Sequence, residues 1–229
     1  MDAPRRRVDE HALEVEEGCP VALPIDEDLQ PSGPFPGAAF DVVAMAASAG
    51  GLTAFSLLLS GLPADFPAAI ALVQHLDPRH RSLMADILSR RTDLPVREAA
   101  EGDHLAPGQV VIAPPNRHLL VNRDGSLYLS QSELVHFVRP SADLLFESVA
   151  ASYRTRAIAV VLTGTGSDGS MGVQAIRKMG GTIIAQDEAS SEFTGMPSAA
   201  VQTGAVDFVL PLSEIASALV SLVVKGEAR

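Results

Sequence analysis

Asp41-Val42-Val43-Ala44-Met45-Ala46-Ala47-Ser48-Ala49-Gly50-Gly51-Leu52 decides the architecture of this chain. A run of apolar residues leads into a single hydroxyl, two glycines follow, and a helical pattern begins. The run lacks polar alternation, so it reads as a strand buried on both faces, turning sharply into a helix with Ser48 at the corner. Strand–turn–helix with a serine at the turn can present a nucleophile. It can equally be a plain turn in which Ser48 caps the helix, so the partners elsewhere in the chain decide.

Working outward, the same grammar repeats. Apolar runs at 69–74, 157–162, 182–185 and 206–209 are expected strands. Helical periodicity covers 51–61, about 82–91, 142–153 (with Ser141 as the expected cap), a stretch to about 179, and segments opening at Pro197 and Leu212. Residues 101–139 differ. Short β-like runs at 110–113, 119–121 and 127–129 are separated by Pro114-Pro115-Asn116 and Arg123-Asp124-Gly125, and Asp-Gly between apolar runs is a hairpin signal. The expected fold is α/β: a doubly wound, mostly parallel sheet flanked by helices, with a short antiparallel β insertion near 107–131.

Two stretches organise the domains. Residues 1–38 alternate charges with Pro and Gly and read as a disordered acidic tail, while 39–229 form the folded domain. The chain of 229 residues carries a net charge of -11, and the tail alone holds nine acidic residues against three arginines. The folded part is mildly acidic, which argues against a nucleic-acid binder. The single cysteine, Cys19, precludes an internal disulfide and suits a reducing cytoplasm. No apolar run reaches the ~20 residues of a membrane span, so no membrane insertion is expected.

Ser48, His75 and Asp168 each follow the carboxyl end of an apolar strand. In a parallel sheet those ends share one edge, where ligand crevices form. The residue types suit nucleophilic catalysis: imidazole removes the hydroxyl proton, a carboxylate orients the ring, and free amides at glycine-rich turns receive the oxyanion. Each has a plainer reading as well, Ser48 as a cap, His75 as a backbone-satisfied histidine and Asp168 as a turn residue. Their order along the chain, Ser-His-Asp, differs from the Ser-Asp-His order of α/β-hydrolases. His75, Asp77 and His80 hint at a metal cluster, but Pro78 breaks any helix between them, and His11 with Cys19 supplies too few ligands. Gly164-x-Gly166-x-x-Gly169, with Glu188 about twenty residues on, matches a dinucleotide fingerprint and keeps a nucleotide-binding domain open as an alternative.

A wider set of motifs resembles one family. Ala47-Ser48-Ala49-Gly50-Gly51, Gln74-His75, Pro107-Gly108 with Ile112-Ala113-Pro114, Arg139-Pro140-Ser141-Ala142-Asp143-Leu144-Leu145-Phe146, Leu162-Thr163-Gly164-Thr165-Gly166-Ser167-Asp168-Gly169, and Ala185-Gln186-Asp187-Glu188 with Gly195-Met196-Pro197 are similar, in order and spacing over about 40–223, to the catalytic domain of chemotaxis protein-glutamate methylesterases, the CheB family. The resemblance implies a cytoplasmic serine hydrolase that needs no cofactor or metal. It would demethylate glutamate methyl esters on the helical bundle of methyl-accepting chemoreceptors, releasing methanol, and deamidate receptor glutamines. By position it assigns Ser48 as nucleophile, His75 as base, Asp168 as orienting acid, and the backbone N–H groups of Ala49 and Thr165 as oxyanion donors. Ala46 and Ala49 depart from the family's usual Gly and Thr or Ser, which keeps a non-catalytic receptor- or regulator-binding relative as a second alternative. Members typically carry a phosphorylatable receiver domain; with 38 residues ahead of the domain here, the expectation is an esterase without its own phosphorylation switch. Arg79, Arg81, Arg90, Arg91 and Arg117 are candidate contacts to an acidic receptor, or simply solvated surface charge.

Overall fold

The computed structural model describes residues 29–75 and 82–225. Strand β1 (Val42–Ala47) sits at the centre, fully buried along its length. It pairs in parallel with β2 (Ala69–Gln74) on one side and β7 (Ala157–Val161) on the other. Beyond β2 come β4 (Val110–Ile112) and β3 (Val96–Glu98); beyond β7 come β8 (Thr182–Gln186) and β9 (Phe208–Leu210). All seven strands run parallel, in the order 3-4-2-1-7-8-9. The chain builds outward from β1 to one edge and then returns beside β1 at β7, so β1/β7 is the topological switch point.

Alternation along the strands sorts the core into two layers. Val43, Met45 and Ala47 face α1 (Gly51–Ser60), α2 (Met84–Leu88) and α6 (Leu212–Lys225). Val42, Ala44 and Ala46 face α3 (Ala142–Tyr153), α4 (Ser170–Lys178) and α5 (Gly195–Gln202). Small β1 residues let helices approach from both sides, and nearly every strand residue near the centre is buried. The doubly wound sheet is thus as expected.

The antiparallel insertion is one hairpin, β5 (His118–Val121) with β6 (Leu127–Ser130), joined through the Asp124-Gly125 turn. The run at 110–113, read with it as β-like, belongs to the parallel sheet instead. Its residues are buried on both faces, whereas the middle of β6, Tyr128 and Leu129, is only partly buried. Residues 1–28, with His11 and Cys19, lie outside the described residues, as do 76–81. The end of the expected tail is held in place: the Ser32 N–H donates to the Arg123 carbonyl, the Phe35 N–H donates to Asp41, and the Phe35 ring packs against the core. No helix among the described residues is long and apolar enough to cross a membrane.

Candidate active site

Ser48, His75 and Asp168 stand together at the carboxyl edge of β1, β2 and β7. His75 Nε2 lies 2.8 Å from Asp168 Oδ2. The Nε2–H therefore donates to the carboxylate, and Nδ1 is left as the nitrogen that can accept a proton. The ring is only 13% exposed, so the pair is shielded from bulk water.

Asp168 is bound on every side. Besides His75, Oδ2 accepts the Ala142 N–H at 2.6 Å, while Oδ1 accepts the Ser141 hydroxyl at 2.8 Å and the Asp143 N–H at 3.2 Å. Its carboxylate thus caps the N-terminus of α3 from another segment of the chain. Burial alone would push its pKa up. The hydrogen bonds from His75, Ala142 and Ser141 and the His75 charge outweigh that and hold it below the ordinary carboxylate value. The expected cap role of Ser141 is corrected here: its side chain makes no cap bond to its own helix and is spent on Asp168 instead.

The Ser48 turn is clamped from two strands. The Ser48 N–H donates to the Thr163 carbonyl at 3.0 Å, and the Ser48 carbonyl accepts from Gln74 Nε2 at 2.6 Å. Gln186 plays the matching part across the site, accepting the Thr163 N–H at 2.9 Å. The Thr163 hydroxyl donates to the Ala49 carbonyl at 3.1 Å and accepts the Phe193 N–H at 2.9 Å. Gly50 caps α1 with φ +79°, a left-handed conformation that glycine adopts freely. Ser48 forms no cap. Neither Ala46 nor Ala49 has positive φ, so the backbone of the turn does not require glycine at either position. Gly164 lets Ser48 approach the β7 loop closely, because a Cβ there would sit 2.9 Å from Ser48 Cβ and 2.3 Å from Met196 Sδ.

The Ala49 and Thr165 N–H groups donate to no hydrogen bond among the described residues. The glycine-rich loop serves this site: Gly169 makes the left-handed turn into α4, and Asp168 beside it is committed to His75 and α3. Glu188 accepts from the Ser198 hydroxyl. No metal-binding group of acidic, histidine or cysteine residues occurs among the described residues; Asp77 and His80 lie outside them. Arg90, Arg91 and Arg117 are exposed, with Arg90 and Arg91 lining a groove beside Leu52, Leu57 and Ile87; Arg79 and Arg81 are not described. Sequence reasoning missed Asp143, Gln186 and the Asp168 bond of Ser141, which act across 23 to 29 residues. Their place within the motif strings that carry the family resemblance was the only signal.

The family model for the CheB methylesterase matches residues 43–219. A protein-glutamate methylesterase/protein-glutamine glutaminase of Moorella thermoacetica is 44% identical over 187 residues, covering 80% of this chain and 44% of the relative. One from Burkholderia lata is 45% identical over 198 residues, covering 86% and 58%, respectively. The chain spans about half the length of the curated relatives it matches. The crystal structure of the Thermotoga maritima CheB methylesterase catalytic domain superposes with a TM-score of 0.77 at 35% identity, covering 80% of this chain and 99% of that one.

Proposed function

The chain belongs to the CheB methylesterase family, and from that premise we propose that it hydrolyses glutamate methyl esters on chemoreceptors, releasing methanol, and deamidates receptor glutamines, releasing ammonia. The observation that carries this reading is the His75–Asp168 pair beside Ser48 at the β1/β7 switch point.

The proposed roles are these. Ser48 Oγ attacks the ester carbonyl carbon while His75 Nδ1 takes its proton. The Asp168 carboxylate holds the ring through Nε2 and stabilises the imidazolium, remaining ionised itself. The Ala49 and Thr165 N–H groups, at the ends of two clamped turns, receive the oxyanion. Collapse of the tetrahedral intermediate expels methoxide, which takes the His75 proton and leaves as methanol. Water then attacks the acyl-serine, with His75 as base again, and free glutamate is released. A glutamine follows the same route with ammonia leaving.

The partner is a methyl-accepting receptor presenting its side chain from a helical bundle. Exposed apolar side chains on segments bonded to the site loops support a protein surface as substrate. Phe193 brackets Thr163, Met171 opens α4, and Phe137 is 94% exposed at the tip of a tight turn. The cytoplasm, where receptor signalling regions lie, is the proposed location.

The test is methanol release from methylated receptor by the wild type and by Ser48→Ala. The expected result is a fall of about 10⁴-fold or more for the variant. Equal release by both would remove Ser48 from the mechanism.

A further inference from the structure

Behind Asp168 stands a second carboxylate that the triad does not use. Asp143 lies in the first turn of α3 and is almost wholly buried. Its N–H donates to Asp168 Oδ1 at 3.2 Å. Its own Oδ1 accepts the Gly172 N–H at 2.7 Å, in the first turn of α4. The two helices are therefore capped reciprocally: Asp168, just before α4, caps α3, and Asp143, from α3, caps α4. Among the described residues, Oδ2 of Asp143 has no hydrogen-bond partner. His136 Nε2 lies 3.3 Å from it on a half-exposed ring, without forming a hydrogen bond.

Capping alone does not explain a carboxylate here. Asparagine or serine caps a helix about as well as aspartate. An ionised group with one oxygen unpaired, buried next to a second anion, is costly. Burial and the Asp168 charge push the Asp143 pKa up to about 6, against the Gly172 and Met171 amides and His136, which lower it. A feature that opposes folding is retained most readily where it serves the site.

We propose that Asp143 is a positioning residue for the esterase reaction: its ionised carboxylate braces Asp168 from behind and, through it, favours the protonated His75 that forms as Ser48 attacks. The inference rests on the esterase reading above. Coupling between the groups is reciprocal. The Asp168 anion makes Asp143 harder to ionise, and the Asp143 anion makes a proton on the His75–Asp168 pair harder to lose. The other groups facing Asp143 are few. His136 comes from the 135–138 turn, and Glu147 follows one turn later on α3, itself held above its ordinary range by burial and then by the charges of Asp143 and Asp168. His118 lies beyond Asp168, accepting the Ser141 N–H, with its pKa lowered by burial. The first turn of α4 offers Asp143 backbone amides and no charged side chain.

The experiment measures methanol release from methylated receptor between pH 5 and pH 9 by the wild type, Ser48→Ala and Asp143→Asn. Circular dichroism follows the fold at each pH. Asparagine keeps an oxygen for Gly172 and removes the charge; Asp143→Ser does the same in a smaller volume and carries the comparison if asparagine fails to fold. The expected result is a fall in kcat of about tenfold at pH 8 with KM for receptor unchanged. At pH 5, where about a tenth of the wild-type Asp143 is ionised, the two rates converge to about twofold. A wild-type to variant ratio that is flat across pH, or equal rates throughout, overturns the role of Asp143. Wild-type release no greater than that of Ser48→Ala defeats the esterase reading instead.

Discussion

Asp143 and Asp168 touch, yet they pull stability in opposite directions with pH. A carboxyl whose folded pKa is raised holds its proton more tightly folded than unfolded. Its stabilising contribution is full below the unfolded value near 4 and is lost as pH climbs through the folded value, about 6 for Asp143. The difference corresponds to about 3 kcal/mol. Asp143→Asn is therefore expected to gain on the wild type by up to about 3 kcal/mol between pH 4 and pH 8, read from denaturant midpoints. A constant offset would contradict the buried anion. Asp168, with its folded pKa lowered, stabilises the fold above the unfolded value and loses that contribution as pH falls through the folded one. Gly51 shows how finely the turn is packed. A Cβ there would lie 1.9 Å from Gln74 Oε1 and 2.7 Å from Ala47 Cβ, and it is Gln74 that holds the Ser48 carbonyl. Gly51→Ala is expected to cut kcat by about 10²-fold through misplacement of Ser48, with far-ultraviolet circular dichroism unchanged. Wild-type kcat would show that Gln74 does not set the position of Ser48.

At the level of elements, β2 and α3 coincide with their sequence readings because each is bounded by plain signals: a continuous apolar run for β2, and Pro140-Ser141 ahead of α3. Helix α2 is shorter than the expected 82–91. It closes after Leu88 in a tight turn, with the Arg90 and Arg91 N–H groups bonding Ile87 and Leu88 three residues back. That Ser48, His75 and Asp168 share one sheet edge was legible because Ser48 and His75 directly follow strands and Asp168 lies in the loop after β7. Ser141 was read as a local cap because sequence rules see only its own helix; its partner arrives from 27 residues away. The same holds for Asp143 and Gln186, whose roles exist only once α3, α4, β7 and β8 are assembled. Ser141→Ala tests this cross-element bond. Losing one donor raises the Asp168 pKa, so the variant is expected to be less stable than wild type by about 1.5 kcal/mol at pH 7, with the difference shrinking as pH falls and Asp168 protonates in both. An offset that persisted at low pH would assign the loss to packing at the α3 N-terminus instead.

Across the whole molecule, two of the three strands that end at the candidate site are locked at their other ends. Asp41, fully buried just ahead of β1, forms an ion pair with Arg156, just ahead of β7, and also accepts the Phe35 N–H. Arg156 donates as well to the Ser32 carbonyl, which draws residues 29–38 to the same edge. The β1/β7 pair therefore has a charge lock at its amino end and Ser48 and the Thr163–Asp168 loop at its carboxyl end, with six strand residues, roughly 20 Å, between them. Breaking the lock leaves the Asp41 charge buried and uncompensated, which costs about 3–5 kcal/mol. Arg156→Ala is accordingly expected to lower the melting temperature markedly. At temperatures where the variant remains folded, its kcat/KM on methylated receptor should match the wild type, because none of the residues proposed for the chemistry touches the lock. If the folded variant lost activity in step with its stability, the two ends of the sheet would be coupled and the separation of framework from chemistry would fail.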